Sequence, residues 1–367
     1  MKKSKTFFAC AMLAALASCS NDHVLSQQSP TPSDPDVINI VAASSKPVTK
    51  AAGTADDLQD AQFATGEKIN VYLEENGGST TTYSMLRYEV SSTPNGAGKQ
   101  LELVNTSPTQ TAPHYPISGN GIDAYAFYPA LGTSDSDYDV TKNLHSFSVA
   151  EDQSTIGGYR KSDLMFGTNN WDTRNSGAPI TSFAGTKKPN PVNLYFKHLL
   201  SKIIVKLKPG EGMSDATLQG ATIKLKNTSI KANITKIENP GGITFSADNS
   251  VSEIKDITLT DNYAESESSF NSNTYSGCAG IIIPQDITVP SPTDTQTPFI
   301  EIILSPSNAK YVYNIADGDG TSDGTMTFAS GNQYTYTITL SAGNVIVVST
   351  QIAPWQDKPI SGNADLQ

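Results

Sequence analysis

From residue 37 onwards, the sequence repeats one pattern: a short run in which apolar and polar residues alternate, ended by Gly, Pro or Asn. Residues 68–73 and 122–128 are two such runs. Alternation with a period of two is typical of strands that bury one face. Breaks spaced by about 8–15 residues are typical of β-sandwiches and barrels. The pattern therefore predicts an all-β fold.

A turn-rich interval divides these runs into two groups. Residues 157–190 have little periodic pattern and close on the sequence TKKPN at residues 186–190. A length of 367 residues suits two domains or one large all-β domain. Because of the turn-rich interval, we predict one β domain over residues 37–190 and another over residues 191–367. We expect four apolar residues beyond this boundary to begin the core of the second domain: Phe196, Ile203, Val205 and Leu207.

The first residues indicate export. Three lysines precede the apolar run at residues 7–17, and no second apolar stretch of that kind follows. This arrangement predicts a secretory signal over residues 1–18, too short to span a bilayer. Leu16-Ala17-Ser18-Cys19 matches a bacterial lipobox, so we predict acylation of Cys19 and attachment to a membrane. The alternative is an ordinary signal peptide with a chance cysteine. Residues 19–36 are polar and predict a flexible tether.

Charge and cysteine usage exclude two classes of protein. The formal net charge is −11 and only three arginines occur, which argues against binding of nucleic acid through a basic face. Of the three cysteines, Cys10 lies in the signal and Cys19 in the lipobox, which leaves Cys278 alone. A disulfide framework within the mature chain is therefore excluded. Cys278 lies beside an apolar run, so we expect a buried small side chain rather than a nucleophile.

The sequence offers no catalytic or metal-binding constellation. The four histidines have no spacing that suits a metal site. The letters GTSDG at residues 320–324 match a nucleophile motif, but no helix follows them. Asp135, Asp137 and Asp139 are expected to lie in a solvated loop. We predict no catalytic residue, metal or cofactor, although carboxylates far apart in the sequence can still meet in a fold.

Several stretches, taken in order, resemble one family of surface proteins. They are the lipobox, VINIVA at residues 37–42, KAA at 50–52, FATGEKINVY at 63–72, AYAFYP at 124–129, SDLMF at 162–166, LYFKHLLSKI at 194–203, IIIPQ at 281–285, GNQYTY at 331–336 and IAPW at 352–355. The mature chain resembles the fimbrillin family, which comprises lipoprotein precursors of type V pili and related surface proteins of Bacteroidales.

The resemblance implies two transthyretin-like β-sandwich domains in tandem, no enzyme activity and a route of assembly. Such precursors reach the outer membrane as lipoproteins, where an Arg- or Lys-directed protease cuts the loop after the first strand. That strand leaves, and a strand of another fimbrial subunit takes its place. The implied partners are other subunits, the protease and, through Cys19, outer-membrane lipid.

On this chain, the displaced strand would consist of Val37, Ile38, Asn39, Ile40, Val41 and Ala42. The cut would fall between Lys50 and Ala51, and less readily after Lys46, because Pro47 follows Lys46. The family's best-known processing site is an arginine, whereas both candidates here are lysines.

Two questions stay open at this point. The protein could instead remain an uncut surface lipoprotein that binds glycan or a host ligand as an adhesin or anchor, and a glycan-degrading enzyme has only the compartment in its favour. The donor strand is also open. Residues 356–367 are polar and contain Pro359, and residues 345–352 suit a strand better but could be needed to complete the second domain.

Overall fold

The structure is a computed structural model. It describes residues 36–43, 63–75, 81–95, 98–104, 110–116, 120, 122–130, 145–168, 191–234, 245–259, 275–288, 297–315 and 325–355. The predicted lipidation and processing residues Cys19, Lys46, Lys50 and Ala51 lie outside these ranges, as do residues 135–139 and 320–324. Among the described residues, no helix is long and apolar enough to cross a membrane.

The described residues form twenty strands and two short helices, which confirms the all-β prediction. The first group of elements is β1 (Ile40–Ala43), β2 (Lys68–Glu75), β3 (Thr81–Asn95), β4 (Gly98–Leu103), β5 (Ile122–Tyr128), β6 (His145–Ser148), α1 (Ile156–Ser162), β7 (Met165–Thr168) and β8 (Val192–His198). The second group is β9 (Ser201–Pro209), α2 (Asp215–Leu218), β10 (Thr222–Ser229), β11 (Lys231–Ile234), β12 (Phe245–Ala247), β13 (Ile254–Thr258), β14 (Tyr275–Ile282), β15 (Gln285–Thr288), β16 (Thr297–Ile303), β17 (Lys310–Ile315), β18 (Thr325–Phe328), β19 (Asn332–Ser341) and β20 (Asn344–Pro354).

Seven strands of the first group close into a barrel with the order β1-β4-β3-β2-β5-β7-β8. Neighbours in this order are antiparallel, except that β8 runs parallel to β1 and thereby closes the ring. The strand β1 therefore has both of its edges paired, one with β4 and the other with β8.

The second group forms two four-stranded sheets, β13-β10-β16-β17 and β14-β9-β19-β20, with a pair β15-β18. A three-stranded sheet, β12-β11-β6, takes in β6, although β6 lies between two barrel strands in the sequence. The two groups are thus interlocked, and residues 36–367 form one compact unit. A tandem of transthyretin-like sandwiches stays a prediction, since the first sheet is a closed barrel.

The side chains divide between two cores. Inward residues of the barrel strands form one core, and the second contains the buried residues of the four-stranded sheets. Tyr72, Phe127 and Phe166 alternate with barrel-core residues and so lie on the outer face of the barrel, where they join the second core. The two cores therefore meet across the barrel wall formed by β2, β5 and β7.

The prediction for Phe196 is wrong, while those for the other three residues are confirmed. Phe196 packs in the barrel core, and Ile203, Val205 and Leu207 lie in the second core. The physical reason is that β8 pairs with β7 and β1, so a boundary after residue 190 would remove a barrel strand from its sheet. The chain passes from one core to the other after β8, at residues 199–200. Cys278 is buried, as expected.

Candidate functional site

Residues 36–43 lie in a groove of the barrel, and β8 forms one of its walls. The register pairs Ile40 with Val192 and Ala42 with Leu194, with the two strands parallel. Just before the ladder, the Val192 N–H donates to the Asn39 carbonyl at 2.8 Å. This wall therefore holds the strand by backbone bonds along its whole length from residue 39.

Two segments make up the opposite wall. The strand β4 pairs with residues 40–43 in antiparallel register, from Ile40 opposite Leu101 to Ala43 opposite Gly98. Residues 110–116 continue the wall beyond β4: the Ile38 N–H donates to the Pro113 carbonyl, and the Tyr115 N–H donates to the Asp36 carbonyl, both at 2.8 Å. Of the predicted strand of residues 37–42, residues 40–42 lie in β1 and are paired on both sides, and Val37 forms an isolated bridge with His114.

The segment 110–116 was missed by the sequence analysis. Its prolines, Pro113 and Pro116, break the strand pattern. It is held instead by Gln110, whose side-chain oxygen accepts the Arg87 N–H at 2.6 Å and whose amide donates to the Val104 carbonyl at 2.7 Å. A glutamine between two threonines gives no pattern that predicts this role.

The inner face of the strand fills the barrel. Ile38, Ile40 and Ala42 are at most 2% exposed and belong to the barrel core, whereas Asn39 on the outer face is exposed. Burying an isoleucine side chain contributes about 1.5–3 kcal/mol, so the two isoleucines together contribute about 3–6 kcal/mol. That is a large share of the roughly 5–15 kcal/mol that stabilises an ordinary domain. Loss of this strand without a replacement would therefore put the barrel at risk of unfolding.

The chain beyond residue 62 is fixed to the barrel by contacts that do not involve β1. Phe63 is buried in the barrel core, with its ring centroid 5.3 Å from Tyr128 and 4.8 Å from Phe196. Glu67 accepts hydrogen bonds from the Tyr128 hydroxyl at 2.9 Å and from Arg160 at 3.0 Å. Burial and the neighbouring Glu67 carboxylate raise the pKa of Tyr128 well above its ordinary value, so this hydroxyl stays a donor.

The family-model comparison decides what kind of protein this is. Residues 49–355 match the model of the fimbrillin-like family, which is most of the chain. The chain belongs to the fimbrillin-like family. The match confirms the resemblance inferred from the sequence motifs, and it indicates a structural component of a cell-surface fimbria or adhesin rather than an enzyme. Among curated protein sequences, none matches this fimbrillin-like protein significantly.

Solved structures support the fold of the fimbrillin-like protein. A proposed cell adhesion protein from Bacteroides uniformis matches at a TM-score of 0.57 and 18% identity, over 89% of this chain and all of that one. A second, from Bacteroides ovatus, matches at 0.57 and 15% identity, over 87% of this chain and 97% of that one. The tip fimbrial protein Mfa3 from Porphyromonas gingivalis is similar at 0.39 and 12% identity, over 87% and 99%. At these identities the first two likenesses concern the fold alone.

A second cluster of contacts joins the fimbrillin-like protein's last strand to the barrel. His198, at the end of β8, stacks on Trp355 with centroids 3.9 Å apart, and its Nδ1 lies 2.8 Å from Asp163 Oδ1. Lys202 is buried, with its Nζ 5.5 Å from the centre of the Trp355 ring. These contacts hold the residue after β20 against the β8–β9 turn.

Three of the four histidines, His114, His145 and His198, lie in the described part of the fimbrillin-like protein. His114 lies in the groove wall, where its Nδ1 is 2.9 Å from the Ala112 carbonyl, while His145 belongs to β6. Within the ranges that the structure describes, no group of three His, Cys, Asp or Glu side chains could hold a metal ion.

Proposed function

We propose that this protein is a structural subunit of a surface fimbria, a pilin whose own first strand fills a groove that a strand of another subunit later occupies. The observation that supports this most is the attachment of residues 36–43. Ile38, Ile40 and Ala42 belong to the barrel core and residues 40–43 pair on both edges, yet this segment connects to the next barrel strand only through residues 44–67. A single cut in that connection turns an integral strand into a replaceable one.

Processing after Lys50, with Ala51 as the new terminus, would make that cut. The interval before Phe63 has two basic residues, and Lys46 is disfavoured by the following Pro47. The family match begins at residue 49 and leaves out the first strand. Because Phe63 and Glu67 are anchored without β1, the new terminus would stay with the barrel after the strand departs.

Export would precede this step. Residues 1–18 are the proposed signal, Cys19 the lipid-bearing residue, and residues 19–36 the tether that links outer-membrane lipid to the groove strand. Replacement of Cys19 by Ala should move the protein from the membrane fraction to the soluble fraction and abolish labelling with palmitate. Labelling that persists in the Cys19→Ala variant would contradict the lipobox assignment.

The partner would be another fimbrial subunit, the same or related, that adds a strand. Removal of β1 leaves the edges of β4 and β8 unpaired above an apolar core, which is the condition that favours addition of a strand. On this chain, β20 is the end of its sheet and pairs with β19 alone within the described sheet order. It is the better candidate donor than residues 356–367, which contain Pro359.

A reversible lock tests the proposal. Val41 and Gln100 are register partners on neighbouring antiparallel strands, so cysteines at both positions can be bridged. The protein cut after Lys50 should form fibres only when this bridge is reduced, and the Val41→Cys single variant should form them under both conditions. Equal assembly of the oxidised and reduced double variant would refute strand replacement. The native Cys278 is buried and does not compete.

The second candidate is an uncut lipoprotein that acts as an adhesin or anchor and binds glycan or a host ligand. The observation in its favour is the complete pairing of β1, which suits a permanent barrel strand as well as a temporary one. In that case the oxidised double variant would keep the protein's binding to cells, and no cut after Lys50 would be found on the native surface protein.

A further inference from the structure

Along the neighbouring strands β1 and β8, the sizes of the inward side chains change in opposite directions. Along β1, the inward side chains are Ile38, Ile40 and then the much smaller Ala42. Along β8, in parallel register, they are Val192, Leu194 and then Phe196, which increase in size. Since Ile40 pairs with Val192 and Ala42 with Leu194, each small side chain faces a larger one.

Packing inside the barrel limits the space at the end of the groove where Ala42 and Leu194 lie, here called the narrow end. At the narrow end, the Phe196 ring lies 4.8 Å from Phe63, and it lies over Gly167 of β7. A Cβ added at Gly167 would come within 2.7 Å of that ring, so the ring has no room to move toward β7. Interiors are packed to the density of organic crystals. A larger side chain at the position of Ala42 would therefore have to displace Leu194 or the aromatic cluster.

We infer that the groove selects its partner strand by the size of the inward side chains. The selected strand runs parallel to β8, and its three successive inward residues are two β-branched residues and then a small one. This inference rests on the proposed function, because it specifies the strand that replaces β1. The same order occurs in the sequence of β20 at Val345, Val347 and Ser349, and this segment would face the groove with all three residues only after the register shift that it has against β19 is removed. A strand with three large inward residues should be rejected.

Peptide exchange tests the selection directly. The probe is a fluorescent peptide with the sequence of residues 36–43, added to the full chain after it has been cut at Lys50. Overpacking of a filled core predicts that the Ala42→Leu peptide binds about 5-fold to about 150-fold more weakly than the parent peptide. An Asn39→Leu peptide is the matched control, because residue 39 faces outward; its affinity should change less than about threefold. Equal affinity of the Ala42→Leu and parent peptides would overturn the inference.

A second experiment exchanges the side-chain sizes at positions 42 and 194, and it requires no cleavage and no added peptide. In the uncut chain, Ala42→Leu should lower the melting temperature, and Leu194→Ala should lower it as well. Because positions 42 and 194 are register partners, the double variant keeps the total volume and should be more stable than the sum of the two losses predicts. Strictly additive losses would overturn the inference.

The two experiments separate this inference from the proposed function. If no peptide enters the cut protein but the double variant regains stability, replacement of the strand is wrong and selection by size is right. If the parent peptide enters and the Ala42→Leu peptide enters equally well, replacement is right and selection by size is wrong.

Discussion

Replacement of Ile40 by Ala should loosen the first strand in its groove. The side chain is 1% exposed, and its register partners Leu101 and Val192 are also buried in the barrel core. Isoleucine-to-alanine changes at such sites cost about 2–5 kcal/mol, because the site loses apolar contact and retains a cavity. At about 1.4 kcal/mol per tenfold change, the population without β1 in the groove should rise by about 30-fold to about 5,000-fold.

Amide hydrogen exchange measures that population. The Val192 and Tyr115 N–H groups donate to carbonyls of the strand itself, those of Asn39 and Asp36, so their exchange reports departure of the strand. Both amides should exchange faster in the Ile40→Ala variant, while the Leu259 amide in the second group of strands should not change. The exposed neighbour offers the control: Asn39→Ala should leave all three rates within about threefold. A similar response to both substitutions would refute the argument that the inner face holds the strand.

Three further changes test other parts of the account. Trp355→Ala removes the ring that stacks on His198, and it should destabilise the protein by about 3–5 kcal/mol in denaturant unfolding. The buried Gln153 side chain forms hydrogen bonds with both the N–H and the carbonyl of Ile281, each at 2.8 Å. Gln153→Leu should therefore lower the free energy of unfolding by about 1–3 kcal/mol for each of these backbone groups that is left without a partner. Burial raises the pKa of Tyr115 to about 12, so its contribution to stability should be complete below pH 10 and lost as the pH rises through about 12; alkaline titration monitored by tyrosinate absorbance measures this.

Each of these has a control in the chain. Ile352→Ala, in the strand that precedes Trp355 but 55% exposed, should change stability little, and an equal loss would contradict the role of the Trp355 stack. Ser154→Ala keeps the Gln153 bonds and should cost less than Gln153→Leu. A Tyr115→Phe variant should lose less stability than the parent between pH 10 and 12. Identical alkaline curves for Tyr115→Phe and the parent would show that this hydroxyl is not responsible.

Much of the strand content followed from alternation alone. The run at residues 122–128 is a strand over the same residues, and runs such as 68–73 extend by only a few residues. The period of two reports burial of one face, and that requirement is local. The outer-face residues Tyr72 and Phe127 were not recognised as a second contact surface. Whether the outer face of a strand is buried depends on which other part of the chain packs against it, and the alternating pattern does not report that.

The missed elements are the ones determined by distant parts of the chain. The four residues of β7 contain a glycine that accommodates the Phe196 ring, which no local pattern announces. The assignment of β8 to the second domain failed because its pairing with β1 joins residues about 150 positions apart, which alternation does not encode. The groove strand itself was predicted, but its wall at residues 110–116 was hidden by two prolines and a side-chain clamp at Gln110.

Limited digestion of the uncut precursor with a Lys-specific protease tests the central claim most directly. The mature terminus is read by N-terminal sequencing and the assembly state by size-exclusion chromatography, with and without a peptide of residues 36–43. The account predicts a terminus at Ala51, a monomer that keeps its first strand until peptide is added, and release of the original strand when the peptide is in excess. A Lys50→Gln variant that is not cut at this position should keep its strand under all conditions. If residues 36–43 remain bound to the cut protein at every concentration of peptide, the first strand is a permanent part of the barrel and the account is wrong.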